Sequence, residues 1–321
     1  MSMEKQRMAE AATLYYERKC TQQEIAQMMG LSRQTVSKLL NDAVTEGVVE
    51  IRIHNPQNDC DQLRDQILRE YALRDAVICS VSGTDPVIQQ LMTVKKAVEY
   101  LLPMIQQGKK NIALSWGRTL QALIVEFPHI YAGQNTVFPL FGATDSEKSC
   151  FLSNELARSF ADKIGAEVQY AWFPYRPDRA ADCELLRKTS YYRKLHSLWQ
   201  NIDLAIVGIG NTSVLQLFES AFGYRGRSAD AVGDVATHFF KLDGTVIEPY
   251  SHTLCASAED LRHAGQTVAI ACSHDGDDKI EAIVGALRTG LIDVLITDQH
   301  TARDLISRSP YLLGNEAEET I

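Results

Sequence analysis

The sequence predicts an α/β protein with an N-terminal helix-turn-helix domain followed by a doubly wound, mostly parallel, Rossmann-like sheet. Three observations point there. Residues 22–40 hold two short helical patterns around a glycine. Seven near-continuous apolar segments then recur between residues 75 and 298. Amphipathic stretches separate most of them, which is the alternation that a parallel sheet covered on both faces requires. A chain of 321 residues fits about two domains.

The first expected helix covers residues 5–17, with Met8, Ala11, Ala12 and Tyr15 on one face. Next comes EIAQMMGLSRQTVSKLL, residues 24–40. Ile25, Ala26 and Met29 form the apolar stripe of one helix, and Val36, Leu39 and Leu40 that of the next. Thr21 with Glu24 fits a capping box, and Ser32 is a good N-cap. Gly30 stands where the chain must turn, because glycine takes positive φ without steric cost. Ala26 is small, as a close helix crossing demands, and Leu31 plugs the turn. Arg33, Gln34, Thr35, Ser37 and Lys38 remain for the outer face of the second helix. With Gln22 and Ser32 they are the candidate DNA-contacting residues, since such side chains reach base edges and phosphates in a major groove. Any one of these positions is compatible with a plain helical hairpin; their joint pattern favours DNA binding.

Residues 47–54 (GVVEIRIH) alternate and predict a short strand beside the recognition helix, ended by Asn55-Pro56. Residues 59–71 predict a helix with Leu63, Ile67 and Tyr71 on one face and Leu68 beside it. The expected division is 1–55 for DNA binding, 56–74 for a linker or self-association helix, and 75–321 for the larger α/β domain.

The expected strands of that domain are 75–81, 111–117, 136–142, 167–173, 203–210, 267–273 and 293–298. Ligands of such sheets bind beyond the carboxyl ends of the strands. The candidate effector contacts therefore sit there. Gly117-Arg118-Thr119 opens a helix whose free N–H groups favour anions. Phe141-Gly142-Ala143-Thr144-Asp145 offers a glycine, a hydroxyl and a carboxylate. Gly208-Ile209-Gly210 begins like a dinucleotide loop, but Ser213 replaces the third glycine, so a turn lining a smaller ligand is the preferred reading. Asp234, in VGDVATHFFKLDG (232–244), can accept hydrogen bonds from a polyol or cap a turn. Lys279 follows SHDGDD (273–278) at a helix start. The macrodipole there disfavours a cation, so a phosphate beside Lys279 makes sense of it, the alternative being a solvated lysine. Ser273, His274 and Asp298 complete the set of strand-end residues.

The net charge of −9 excludes a generally basic nucleic-acid binder. It resides outside the first 55 residues, which hold seven Lys/Arg and seven Asp/Glu. DNA affinity then depends on a local surface and is salt-sensitive. Seven scattered cysteines without a CxxC pair read as thiols of a reducing cytoplasm. No signal peptide or membrane span is expected. No metal-ligand spacing, nucleophile elbow or acid/base dyad is apparent, so no cofactor, metal or catalytic residue is expected. Asp234 and His274 are the only suggestive acid/base candidates for a rival enzymatic reading.

The chain resembles the SorC family of bacterial transcriptional regulators over nearly its full length. The resemblance rests on residues 14–40, GVVEIRI (47–53), ALSWGRTL (113–120), AIVGIG (205–210), AVGDVATHFFKLDG (231–244) and KIEAIVGALRTGLIDVLITDQHTA (279–302). It implies a homotetramer, a dimer of dimers, whose C-terminal domain looks like sugar-phosphate isomerases and glucosamine-phosphate deaminases. It further implies an operator-DNA partner and a sugar or sugar-phosphate effector. Gly142, Ala143, Thr144, Asp234 and Lys279 are then the effector contacts, with Lys279 on the phosphate. Three departures stand out. Ala143 replaces the second glycine of a pair common in relatives. Phe141 occupies the position of an imine-forming lysine, which implies non-covalent binding. The SHDGDD loop lacks the usual glycine pair. The resemblance favours a repressor released by its effector. The rival is a sugar-phosphate isomerase or deaminase with an added DNA-binding domain.

Overall fold

The computed structural model describes residues 3–50, 59–83, 85–144, 152–211, 230–247, 252–273 and 279–314. The chain divides into two compact units, Met1–Pro56 and Gln57–Ile321.

The first unit holds helices α1 (Met3–Ala12), α2 (Gln22–Met29) and α3 (Arg33–Thr45). Met8, Ala11, Ala12, Ile25, Ala26, Val36, Leu40 and Ala43 close its core, and Leu31, Leu39, Met29, Val48 and Val49 pack on it. The expected face of the first helix holds as far as Ala12. Tyr15 is a correction: it stands 36% exposed. It lies in a π-helical turn, Thr13–Glu17, closed by Arg18 N–H donating to Thr13 O. The wider turn carries Tyr15 off the apolar stripe. The expected strand 47–54 also needs correction over its described part. Gly47, at φ +71°, and Val49 donate their N–H groups to Val44 O and Ala43 O. Those donors close the end of α3 and are lost to any ladder. Residues 51–54 lie outside the described residues.

The second unit begins with α4 (Cys60–Glu70), which packs on β1 (Asp75–Cys79). Leu63, Ile67 and Tyr71 are buried there, each contributing about 1.5–3 kcal/mol. Arg64 Nε and Nη2 donate to Asp75 Oδ1 at 2.9 and 2.7 Å, tying helix to strand. The helix expected as a linker thus spends its apolar face inside this unit.

The remaining elements follow in order. They are α5 (Pro86–Gln106), β2 (Asn111–Leu114), α6 (Arg118–Glu126), β3 (Thr136–Pro139), α7 (Ser153–Ile164), β4 (Glu167–Val168), α8 (Ala180–Arg187) and α9 (Ser190–Trp199). Then come β5 (Leu204–Gly208), β6 (Gly210–Asn211), β7 (Gly233–Val235), β8 (His238–Phe240), α10 (Ala258–Arg262), β9 (Thr267–Ile270), α11 (Ile280–Arg288), β10 (Val294–Asp298) and α12 (Gln299–Gly314).

All seven expected strands join one parallel sheet, in the order β1-β10-β9-β5-β2-β3-β4. Every residue of β9 and β10 is buried. Successive side chains point to opposite faces, so both faces are covered. Except in β10, which reaches its expected end at Asp298, the strands are shorter than their apolar runs because the last residues of the run leave the ladder for the strand-end loops. The 167–173 run shows this most: only Glu167–Val168 is strand, and Gln169 N–H still donates to Val137 O at 2.8 Å. After β2 the chain moves outward to β3 and β4. It then returns to place β5 on the other side of β2 and continues to β9 and β10. The winding direction therefore reverses between β2 and β5, and the crevice lies at their carboxyl ends.

A second sheet, β6-β7-β8, is antiparallel. The β7–β8 turn places Ala236 at φ +49° and Thr237 at φ +74°. Two positive φ values define the primed hairpin turn, unusual without glycine.

Candidate functional site

In the first unit, sequence dictates the recognition surface locally. Thr21 Oγ1 accepts from Glu24 N–H at 3.3 Å, and Glu24 Oε2 accepts from Thr21 N–H at 2.8 Å, completing the expected capping box. The bonds that Thr21 N–H and Thr21 Oγ1 donate to Glu24 Oε2 hold the Glu24 carboxyl below its usual range. Gly30, at φ +65°, ends α2. Ser32 Oγ then accepts from Thr35 N–H at 3.1 Å and starts α3. Val36, Leu40 and Ala43 face inward, which turns Arg33, Gln34, Thr35 and Lys38 to solvent. Ser37 is half-buried rather than fully outward, and Gln22 is half-buried at the start of α2. Ser32 and Thr35 also spend hydroxyls on each other, 2.8 Å apart. Arg33, Gln34 and Lys38 are thus the long polar side chains this face projects, with no acid among them.

In the second unit, Gly117 at φ +113° turns the chain from β2 into α6. Arg118 is exposed at the first position of that helix. Ser115 Oγ accepts from Gly208 N–H at 3.3 Å, joining β2 to β5 across the crevice. Beyond β3, Phe141 packs edge-on against Trp116 and Tyr175, with ring centroids 5.0 and 5.9 Å apart. Phe141 is fully buried.

Gly142 is a packing glycine. A Cβ there would lie 2.6 Å from Pro174 C and O and from Tyr175 N. Its N–H donates to Leu254 O, and Ala143 exchanges bonds with Phe173 O and Tyr175 N, all at 2.8 Å. The N–H groups of both residues are therefore engaged inside the fold. Thr144 is half-buried beside them. Asp145, Ser213 and His274 lie outside the described residues.

Gly210 pairs with Asp234 in the small sheet. Asp234 is buried, 3% exposed, and its Oδ2 accepts from Thr237 N–H at 3.2 Å. Burial pushes its carboxyl up to about 6, against the pull of that hydrogen bond and of the Lys279 charge. Asp234 does cap a turn, as one sequence reading had it, and it also lies within the field of Lys279. Lys279 is half-buried at the N-cap of α11, and its N–H donates to Ser273 Oγ at 3.1 Å. The fold thus brings together Gly210, Asp234 and Lys279, and separately Gly142, Ala143 and the aromatic wall.

Three features escaped the sequence reading. One is the Trp116–Phe141–Tyr175 wall. Another is the polar end of α5, where Gln89 and Thr93 are buried in line with Ala97, Leu101 and Ile105. Two polar residues opening an otherwise apolar i,i+4 ladder were the available signal. The last is Thr301, buried at the start of α12 next to Asp298.

Among the described residues, no group of three or more His, Cys, Asp or Glu could hold a metal. Burial drives the Cys272 thiol up to about 12 and that of Cys255 up to about 11, so neither is a thiolate nucleophile near neutrality. No described helix is long and apolar enough to cross a membrane.

A helix-turn-helix face on one unit and a polar strand-end crevice on the other define a DNA-binding transcriptional regulator with a sensor-type α/β domain. Residues 55–307 match the Sugar-bind family, a sugar-binding domain, and residues 3–65 match the Crp-like helix-turn-helix domain. The chain is 27% identical over 305 residues to the sorbitol operon regulator of Klebsiella pneumoniae, covering 92% of this chain and 96% of that one. It is 27% identical over 315 residues to the deoxyribonucleoside regulator of Bacillus subtilis, covering 96% and 99%. The crystal structure of the full-length K. pneumoniae regulator SorC superposes with a TM-score of 0.74 at 26% identity, covering 95% of this chain and all of that one. The chain belongs to the SorC family of transcriptional regulators, with the Sugar-bind domain as its larger part. Its relatives are regulators, and it is a regulator rather than an enzyme.

Proposed function

We propose that this regulator represses a carbohydrate-utilisation operon and is released by a sugar or sugar phosphate bound at the strand ends of its larger domain. The observation that carries the reading is a carboxyl buried at those ends, Asp234, within the field of Lys279 at a helix start. A buried carboxylate suits the hydroxyls of a sugar, and a cation above a helix start suits a phosphate. Phe141 in its aromatic wall keeps the binding non-covalent. Arg118, Thr144, Asp145 and Gly210 complete the contact set, with Gly142 and Ala143 shaping the wall beside it. Residues 1–55 read the operator, with Arg33, Gln34 and Lys38 toward bases and phosphates. The working form is a cytoplasmic homotetramer, a dimer of dimers that supplies paired half-sites. The effector acts by binding one arrangement of that tetramer better than the other.

The names of the relatives support this reading, since one is a sorbitol operon regulator and another a deoxyribonucleoside regulator. The test is thermal shift of the full-length protein against sugars and their phosphates. Ligand at a hundredfold excess over its Kd stabilises by about 2.7 kcal/mol. The expected result is a shift with one phosphosugar, lost in Lys279→Ala while operator binding persists. A Lys279→Ala protein that still responds at wild-type effector levels would overturn the phosphate assignment.

A further inference from the structure

We propose that Asp298 and Thr301 are positioning residues that set Lys279 at the effector site through a chain of hydrogen bonds between two helix starts. The inference rests on the reading that Lys279 holds the effector phosphate.

Lysine is a poor N-cap, because its side chain has no acceptor for the orphan N–H groups of the first turn. Lys279 nevertheless occupies the N-cap of α11, and no side-chain cap forms there. Its own backbone is fixed from outside the helix. Lys279 N–H donates to Ser273 Oγ at 3.1 Å. Ser273 N–H in turn donates to Thr301 Oγ1 at 2.9 Å. The Thr301 hydroxyl has one proton and two acceptors in reach, Asp298 Oδ2 at 2.6 Å and Ser273 O at 3.5 Å. The shorter bond to a carboxylate wins, because charge-assisted bonds are about twice as strong as neutral ones. The Thr301 proton thus goes to Asp298, and the other two donors are backbone N–H groups, so the links run from Lys279 to Ser273 to Thr301 to Asp298.

Asp298 is the anchor. It is fully buried at the end of β10, and its Oδ1 accepts from His300 N–H at 2.8 Å and Thr301 N–H at 3.1 Å. It caps α12 with one oxygen and holds Thr301 with the other. Thr301 is 1% exposed, so no solvent competes for its hydroxyl. The two duties of Asp298 are separable. Removing the Thr301 hydroxyl leaves the cap of α12 intact and breaks only the link toward Lys279.

Thr301→Val is nearly isosteric and makes that cut; Thr301→Ser keeps the hydroxyl. Ser273→Ala breaks the chain one link nearer Lys279. The assay is calorimetric titration of the full-length protein with inorganic phosphate, with Tm of each variant measured alongside. Orienting partners behind a ligand-binding group cost about 10–100-fold in metal sites when removed. The expected loss here is about tenfold in phosphate affinity for Thr301→Val and Ser273→Ala. Thr301→Ser should stay near wild type, and Lys279→Ala should lose the titration. Wild-type affinity in both Thr301→Val and Ser273→Ala, with binding abolished in Lys279→Ala, would overturn the positioning role and leave the phosphate reading standing. Phosphate binding that survives Lys279→Ala, or none in the wild type, would remove that reading and this inference with it. Should Thr301→Val fail to fold, Ser273→Ala carries the same test.

Discussion

Replacing Asp234 by asparagine should remove a pH dependence from the stability of this protein. Burial raises the Asp234 carboxyl from 3.8 to about 6 in the folded chain. The fold therefore favours the protonated acid. That contribution is fully present below the unfolded value near 4 and is lost as pH rises through 6. The difference corresponds to about 3 kcal/mol between the two limits. Asparagine matches the neutral acid in shape, and its carbonyl can still accept from Thr237 N–H. Every other titrating group is common to both proteins and cancels in the comparison. Urea unfolding of wild type and Asp234→Asn from pH 4 to 7.5 should show two stability curves that diverge with rising pH, the variant gaining by about 2 kcal/mol over that window. The Lys279 charge opposes the rise of the Asp234 pKa. In a Lys279→Ala background the divergence should therefore widen. Parallel curves, or a gap that narrows once Lys279 is removed, would refute the assignment of a desolvated carboxylate facing that cation.

Three other outcomes are expected. Gly142→Ala drives a Cβ into the Pro174–Tyr175 backbone, so urea unfolding should report a loss of about 1–3 kcal/mol; an unchanged midpoint would mean that this segment yields freely. Thr21→Ala removes the hydroxyl that accepts from Glu24 N–H and donates to Glu24 Oε2 and should cost about 1 kcal/mol, read in the unfolding of the N-terminal unit. Arg33→Ala should weaken operator binding in gel shift by about 1–3 kcal/mol if the guanidinium reads a base bidentately, with effector-induced thermal shifts untouched.

What the sequence discloses follows the range of the interactions. The Thr21–Glu24 box, the Gly30 turn and the Ser32 cap each reach no more than four positions along the chain, and each appears as expected. The seven strands were legible because burial on both faces leaves continuous apolar runs. The failures are local competitions that composition does not rank. Tyr15 keeps helical spacing, yet a π turn displaces it. Gly47 and Val49 alternate like strand residues, yet their N–H groups close a helix. At the site, Gly142 resembles a ligand contact until the Pro174 backbone is placed against it. The proximity of Asp234 to Lys279 arises across 44 residues of intervening chain, and no spacing rule foretells it.

The pairing of β1 has a bearing on synthesis. This strand, at residues 75–79, sits at the sheet edge, and its partner is β10, at residues 294–298. A ribosome completes the DNA-reading unit early. The first strand of the sensor then waits for more than 200 residues to be translated before its partner exists. During that interval α4 also lacks α12, the helix it packs against. Long-range parallel pairing is slow, and its unpaired edges invite aggregation. A nascent or truncated chain would thus present a finished DNA reader joined to an unsecured sensor. Chaperone occupancy and proteolytic clearance should concentrate on α4 and β1.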